Sequence, residues 1–149
     1  MKLDAFFDKI VNQLYLGDMI SSPIQITGGL THRMFKIETK SGKYIIKLLN
    51  PNIMKRNTAM ANFQRADQIE EILKDNNIDA IYSLKFNNKK MQEIDGQYFY
   101  VFKWYVGKSL KESEIKKINC NKIGELVAKI HNIDLKFEEN NLSEKKIDF

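Results

Sequence analysis

The sequence has a single cysteine, Cys120, so no internal disulfide can form, and nothing around it has the spacing of a zinc site. No apolar run approaches the roughly 18 residues that a membrane span requires. The opening segment, MKLDAFFDKIVNQLYLGD, carries acids among its apolar residues and has no small-residue cleavage site, so no signal peptide is expected. The expected compartment is therefore the cytoplasm. Arginine is scarce, at positions 33, 56 and 65 only. The net charge of +5 comes mostly from lysines scattered among acids, the pattern of solvated faces. Without an arginine-rich stripe and interleaved aromatics, neither nucleic acid nor membrane is an expected partner; a mild preference for small anions fits the charge equally well. There is no internal repeat and no low-complexity segment. At 149 residues the length predicts one domain with a real core.

Leu3, Phe6, Phe7, Ile10, Val11 and Leu14 recur at helical spacing, which predicts an amphipathic helix over 3–16 ended by Gly17. SPIQIT reads as a short strand. HRMFKIET alternates with period two and meets KYIIKLLN across Lys40-Ser41-Gly42, a hairpin signal, and Pro51 stops the second strand. From Asn57 the period changes: Ala59, Phe63, Ala66, Ile69, Ile72 and Leu73 line one face of a helix of about 20 residues. AIYSLKFN reads as a strand, and KMQEI-DG-QYFYVFKWY as a hairpin whose Asp-Gly supplies the positive φ angles of a two-residue turn. Gly107 breaks the last strand. Ile118, Ile123, Leu126, Val127 and Ile130 mark a further helix ending near Ile133, followed by a polar tail expected to be loosely held. The expected class is α+β: a five-stranded, mainly antiparallel sheet with one long helix packed against it and flanking helices.

Three features carry candidate chemistry. Gly28 and Gly29, with Thr31 beside them, fit a turn whose backbone N–H groups can approach phosphates, although two glycines in a hairpin also fit a plain turn. Eighteen residues after Gly29, Lys47 sits among Ile45, Ile46, Leu48 and Leu49. It is either a rim lysine reaching for water or a phosphate-binding lysine held by a carboxylate of the long helix, which offers Asp67, Glu70 and Glu71. Third, the aromatic strand YFYVFKWY runs into a connector with Gly107. Phe99, Val101 and Phe102 are either simple core or the approach to a segment whose backbone reads a purine edge.

Taken in order, these pieces resemble the N-terminal half of the aminoglycoside phosphotransferase and choline kinase family, over roughly residues 20–135. GGLTHRMFKI is similar to that family's nucleotide loop, YIIKLLN to its phosphate-lysine strand, FKWYVGKSL to its hinge and LVAKIHNID to its Leu-Ala-x-x-His-x-x-Asp helix end. The resemblance implies a protein-kinase-like N-terminal lobe over 1–107, with 108–149 opening the second lobe. It implies that Gly28, Gly29 and Thr31 cover the phosphates of ATP, bound with Mg in the parent enzyme, and that Lys47 contacts the α- and β-phosphates. Asp67 would be the lysine's partner, one methylene shorter than the family's usual Glu, with Glu70 as its rival. The Lys103 carbonyl and Tyr105 N–H would hold the adenine, with Phe102 lining its pocket. His32 stands where the family usually has Asn.

One part is missing. Kinase-type transfer needs a catalytic Asp to orient the attacking hydroxyl, and an Asn and a second Asp to hold magnesium. The family draws these from a His-Gly-Asp-x-x-x-x-Asn segment and a later Asp. The only histidines are His32 and His131, in HRM and HNID, so neither a catalytic residue nor a metal ligand is expected in this chain. The expectation is half a kinase, whether an expressed fragment, a truncated frame or a split partner. It would bind nucleotide weakly, transfer no phosphate to a small-molecule acceptor alone, and pair as a homodimer through the face meant for the second lobe. The alternative is a binding or interaction module that keeps the fold without using ATP.

Overall fold

The structure, a computed structural model, describes residues 3–27, 31–108 and 110–133. Its centre is a five-stranded antiparallel sheet in the order β1-β2-β3-β5-β4, formed by β1 (Ile24–Ile26), β2 (Arg33–Thr39), β3 (Gly42–Leu48), β4 (Gln92–Ile94) and β5 (Gln97–Lys103). Helix α1 (Leu3–Gln13) precedes the sheet. A short α2 (Pro51–Met54) and the long α3 (Ala59–Asp75) lie between β3 and β4, and α4 (Lys117–His131) follows β5. The expected α+β class and strand count both hold.

Period-two alternation sorts the strands onto two faces. Phe35 and Ile37 of β2, Ile46 and Leu48 of β3, Phe99 and Val101 of β5, and Ile94 of β4 point to one side and are buried there. What covers them is α1, through Phe6, Phe7, Ile10 and Val11, with Leu14 and Leu16 just beyond it. Phe7 packs on Phe35 with ring centroids 5.0 Å apart, and Phe6 meets Phe99 edge-on at 6.4 Å. The chain leaves α1 through Tyr15 (φ 54°) and Gly17 (φ 85°). A Cβ on Gly17 would stand 2.5 Å from the Ser41 hydroxyl, so both the backbone angle and the space call for glycine. The Thr39 hydroxyl donates to the Leu16 carbonyl and ties this exit to the end of β2.

The long helix plays a smaller part in the core than its apolar face suggests. Ala59 is its only buried residue. It lies over the other face of β5, where Phe63 meets Tyr100 with centroids 6.1 Å apart. The sheet is therefore packed heavily on the α1 side and lightly on the α3 side.

One local expectation is corrected. AIYSLKFN is not a strand: it makes only the isolated bridges Ser83↔Phe102 and Phe86↔Lys89. The Glu70 carboxylate takes both the N–H and the hydroxyl of Ser83, and Asn87 and Asn88 turn the chain at positive φ. After β3, Pro51 does more than stop the strand. It opens α2 at a position where its missing N–H costs nothing, and Asn50 caps the helix by accepting the Asn52 N–H at 2.9 Å. The Asp95-Gly96 turn is as expected, with φ of 50° and 76°. The expected tail lies outside the described residues.

Candidate functional site

The face of the sheet opposite α1 carries Met34 and Lys36 from β2, Ile45 and Lys47 from β3, and Tyr100 and Phe102 from β5. The register sets Lys47 between Met34 on one side and Tyr100 on the other. Lys47 is half-buried, and it makes no ion pair with any described residue. Its neighbours Met34, Ile45 and Phe102 form an apolar floor, with the Phe102 ring 6.4 Å from that of Tyr100. A partly desolvated ammonium over an apolar floor has the chemistry to attract an anion carried on a flat apolar group.

His32 borders this face. Its Nδ1 accepts the Asn50 N–H at 3.0 Å, and its ring lies 6.1 Å from Phe63. Burial, reinforced by the charge of Lys47, holds its pKa below the usual histidine value, so the ring is neutral at pH 7 with its proton on Nε2. His32 thus pins the start of β2 to the β3–α2 junction. Thr31, just before it, is exposed; Gly28 and Gly29 lie outside the described residues.

The connector begins at Lys103. The Trp104 N–H donates to the Lys43 carbonyl at 3.0 Å, which makes Tyr44 and Lys103 a non-hydrogen-bonded pair. The backbone groups of Lys103 therefore point away from β3. The Tyr105 N–H donates to no described residue, and both side chains are exposed. The Lys36 ammonium sits 4.9 Å from the centroid of the Trp104 ring while pairing with Glu38 at 2.7 Å, so the connector is clamped onto β2.

The acids of α3 divide differently from expectation. Neither Asp67 nor Glu70 pairs with Lys47. Glu70 is held by Lys90, whose Nζ stands 2.8 Å from its carboxylate, 2.7 Å from that of Glu71 and 3.3 Å from the Asp67 carbonyl. Lys90 is only 4% exposed. Burial works against its charge, but the hydrogen bonds to Glu70 and Glu71 outweigh it and raise its pKa. Glu71, bonded to Lys85 and then Lys90, is depressed to about 2. Asp67 instead faces Tyr100. Burial raises the Asp67 pKa, and burial together with the Asp67 charge pushes that of Tyr100 far up. Yet the buried Tyr100 hydroxyl makes no hydrogen bond of ordinary geometry.

Sequence reasoning missed Lys90 and Tyr100. Lys90 stands in the run NNKKM, where it reads as a solvated charge. Tyr100 was findable: alternation in QYFYVF places it on the face of Phe102, and pairing β3 with β5 brings it opposite Lys47. A concavity of about 900 Å³ lies elsewhere, between α3 and residues 85–93 on the β4 side, and does not include Lys47. Among the described residues no three His, Cys, Asp or Glu side chains gather as a metal site, and no helix is long and apolar enough to cross a membrane.

No family model matches the sequence, and no curated protein matches it. Solved structures do. Spectinomycin phosphotransferase APH(9)-Ia, in complex with ADP and spectinomycin, superposes with a TM-score of 0.69 at 15% identity, over 89% of this chain and 38% of that one. The fold is that of the aminoglycoside phosphotransferases. A putative aminoglycoside phosphotransferase from Ralstonia eutropha JMP134 aligns with a TM-score of 0.50, again at 15% identity, over 74% of this chain and 30% of its own. The chain thus spans about a third of the length of these phosphotransferases.

Proposed function

We propose that this chain is the nucleotide-binding lobe of a small-molecule kinase that transfers phosphate from ATP to a hydroxyl of an aminoglycoside, choline-like or related metabolite. The observation that carries the reading is Lys47: a half-buried cation without an ion pair among the described residues, set on an apolar floor. A phosphate anion is the partner that this geometry lacks. The neighbour of the same fold that holds ADP supports the choice of nucleotide. Adenine would lie on Met34, Ile45 and Phe102, with the Lys103 carbonyl and Tyr105 N–H at its edge, and Thr31 with Gly28 and Gly29 over the phosphates.

The sequence has no His-Gly-Asp-x-x-x-x-Asn segment, so on this reading the chain alone transfers no phosphate. Residues 1–107 then form the nucleotide lobe and 108–149 the start of a second lobe. Such an open site covers one wall of the ligand, so binding should be millimolar, on the order of 4 kcal/mol. A cytoplasmic location accords with ATP as the ligand.

Titration of the purified chain with ADP, followed by NMR, tests the reading. Shifts at Lys47, Ile45 and Tyr105 that saturate in the millimolar range, and vanish in Lys47→Ala, are expected. Equal responses in both proteins would overturn it. A second reading, a module that keeps the fold without using ATP, is favoured by one observation: Glu70 is committed to Lys90 and Ser83 and is not left for Lys47.

A further inference from the structure

Lys47 and Tyr100 are a directly opposed pair on β3 and β5. The bond from the Leu49 N–H to the Tyr98 carbonyl makes the adjacent Leu48–Phe99 pair the non-hydrogen-bonded kind, so Lys47–Tyr100 is a hydrogen-bonded pair with side chains abreast on one face. Both side chains belong to the face of the sheet on which α3 lies. There Phe63 packs on the Tyr100 ring, and Asp67, one turn further along the same helix face, lies beside its hydroxyl. That hydroxyl is buried and lies close enough to the Asp67 carboxyl to interact with it, yet it makes no hydrogen bond of ordinary geometry. Buried hydroxyls are nearly always well bonded, so one so poorly engaged at a candidate site calls for a ligand or a moving neighbour. A phenol has one proton to give and lone pairs to accept with. On one side it has a carboxyl, on the other a lysine with no ion pair among the described residues.

We propose that Tyr100 is a positioning residue: when a nucleoside di- or triphosphate occupies the cleft, its hydroxyl accepts a hydrogen bond from the Lys47 ammonium and donates one to the Asp67 carboxylate. This rests on the nucleotide reading above. The phosphate draws Lys47 inward from the rim. Tyr100 then does what a direct ion pair does elsewhere, fixing the ammonium while Asp67 supplies the counter-charge one residue removed. The arrangement suits a helix whose longer acids are already engaged, since Glu70 and Glu71 both hold Lys90. Asp67 is short and is not replaced by either.

The charged groups around the relay are known. Asp67 feels Lys90, Glu70 and Glu71; Tyr100 feels Asp67 and Glu70; Lys47 faces neutral His32. Burial now raises the Asp67 pKa, so the arrival of a bonded cation should lower it.

The experiment follows the Asp67 carboxyl carbon by NMR across pH in the full chain, with and without saturating ADP. In the wild type ADP should lower the Asp67 midpoint by about one unit. In Tyr100→Phe, ADP should still bind, about tenfold more weakly, and the midpoint should not move. Asp67→Asn should weaken ADP by a similar factor, and the double variant should lose no more than either single one. A midpoint that moves equally in Tyr100→Phe, a midpoint unmoved in the ADP-bound wild type, or losses that simply add would each overturn the relay while leaving the nucleotide reading intact. If Tyr100→Phe fails to fold, the Asp67 midpoint in the wild type and the Asp67→Asn affinity still decide. ADP that leaves Lys47 unshifted in the wild type overturns the nucleotide reading, and the relay with it.

Discussion

The Nζ of Lys90 stands 2.8 Å from the Glu70 carboxylate, and this contact leaves Asp67 as the acid of α3 beside Tyr100. Glu70 and Asp67 are three residues apart on one helix face, so either could turn toward β3. With Lys90 buried against Glu70 and Glu71, only Asp67 remains on the Tyr100 side.

Replacing Lys90 by Met should therefore loosen α3. The substitution leaves the half-buried Glu70 without its cation and Glu71 with Lys85 alone, and we expect a loss of about 2–3 kcal/mol in urea unfolding. It should also release Glu70 toward the cleft, visible as a change in the chemical shifts of Ser83 and Tyr100.

Glu71 gives the pair a pH signature. Its folded pKa, about 2, lies below its ordinary 4.5, so its contribution is complete above about 4.5 and is lost as pH falls toward 2. Thermal unfolding across that window should show a falling midpoint, and Glu71→Gln should flatten the curve.

Asp67 has the opposite sign. Its pKa is raised by burial, so its ionised form costs stability at neutral pH; the cost shrinks as pH falls through the folded value and is gone below the ordinary 3.8. Asp67→Asn should raise the unfolding midpoint at pH 7 while, on the relay proposed above, weakening ADP. A variant that lost stability at pH 7 would show that Asp67 is a structural acid.

The lopsided packing predicts unequal cavity costs. Phe7→Ala removes a fully buried ring between α1 and β2 and should cost about 3–5 kcal/mol, enough to unfold much of a marginal domain. Phe63→Ala on α3, where the ring is half-buried, should cost about 1–2 kcal/mol. Denaturant titration of the two variants compares them directly.

No residue of α4 is buried, and Ile123 and Val127 are 61% and 41% exposed on one side of it, with Ile118 nearby at 57%. Apolar surface of this kind calls for a cover. Light scattering across a concentration series should show self-association, most simply a two-fold dimer, and Ile123→Lys with Val127→Glu should return the chain to monomer. A wild-type chain that stays monomeric at high concentration would show that the face is not sticky.

The sequence made the scaffold readable wherever the signal was local. Phe6, Phe7, Ile10 and Val11 announce α1 by spacing alone, Asp95-Gly96 announces its turn, and Lys47 stands out because its neighbours are apolar. Legibility stops where one residue's state depends on another far along the chain. The strand pattern of AIYSLKFN loses to Glu70, which takes the Ser83 groups that a ladder would need. Lys90 lies in a charge run whose burial only the path from Asn76 to Gln92 determines. The choice between Asp67 and Glu70 follows from Lys90, so it was hidden as well. That α1 and not the longer α3 would supply most of the core could not be read from two helices that both carry an apolar face.

Because β3 is bonded to β2 on one side and β5 on the other, the placement of Lys47 is tied to the integrity of the whole sheet. A slip of one residue would turn Lys47 under α1 among the phenylalanines and push Ile46 outward. Such a molecule could not pass as folded. Preparations of this protein should therefore contain no silent fraction that is correctly compact but blind to its ligand through strand misalignment: the molar amount that unfolds cooperatively and the molar amount that binds should agree, and a shortfall in binding would indicate damage at the site itself.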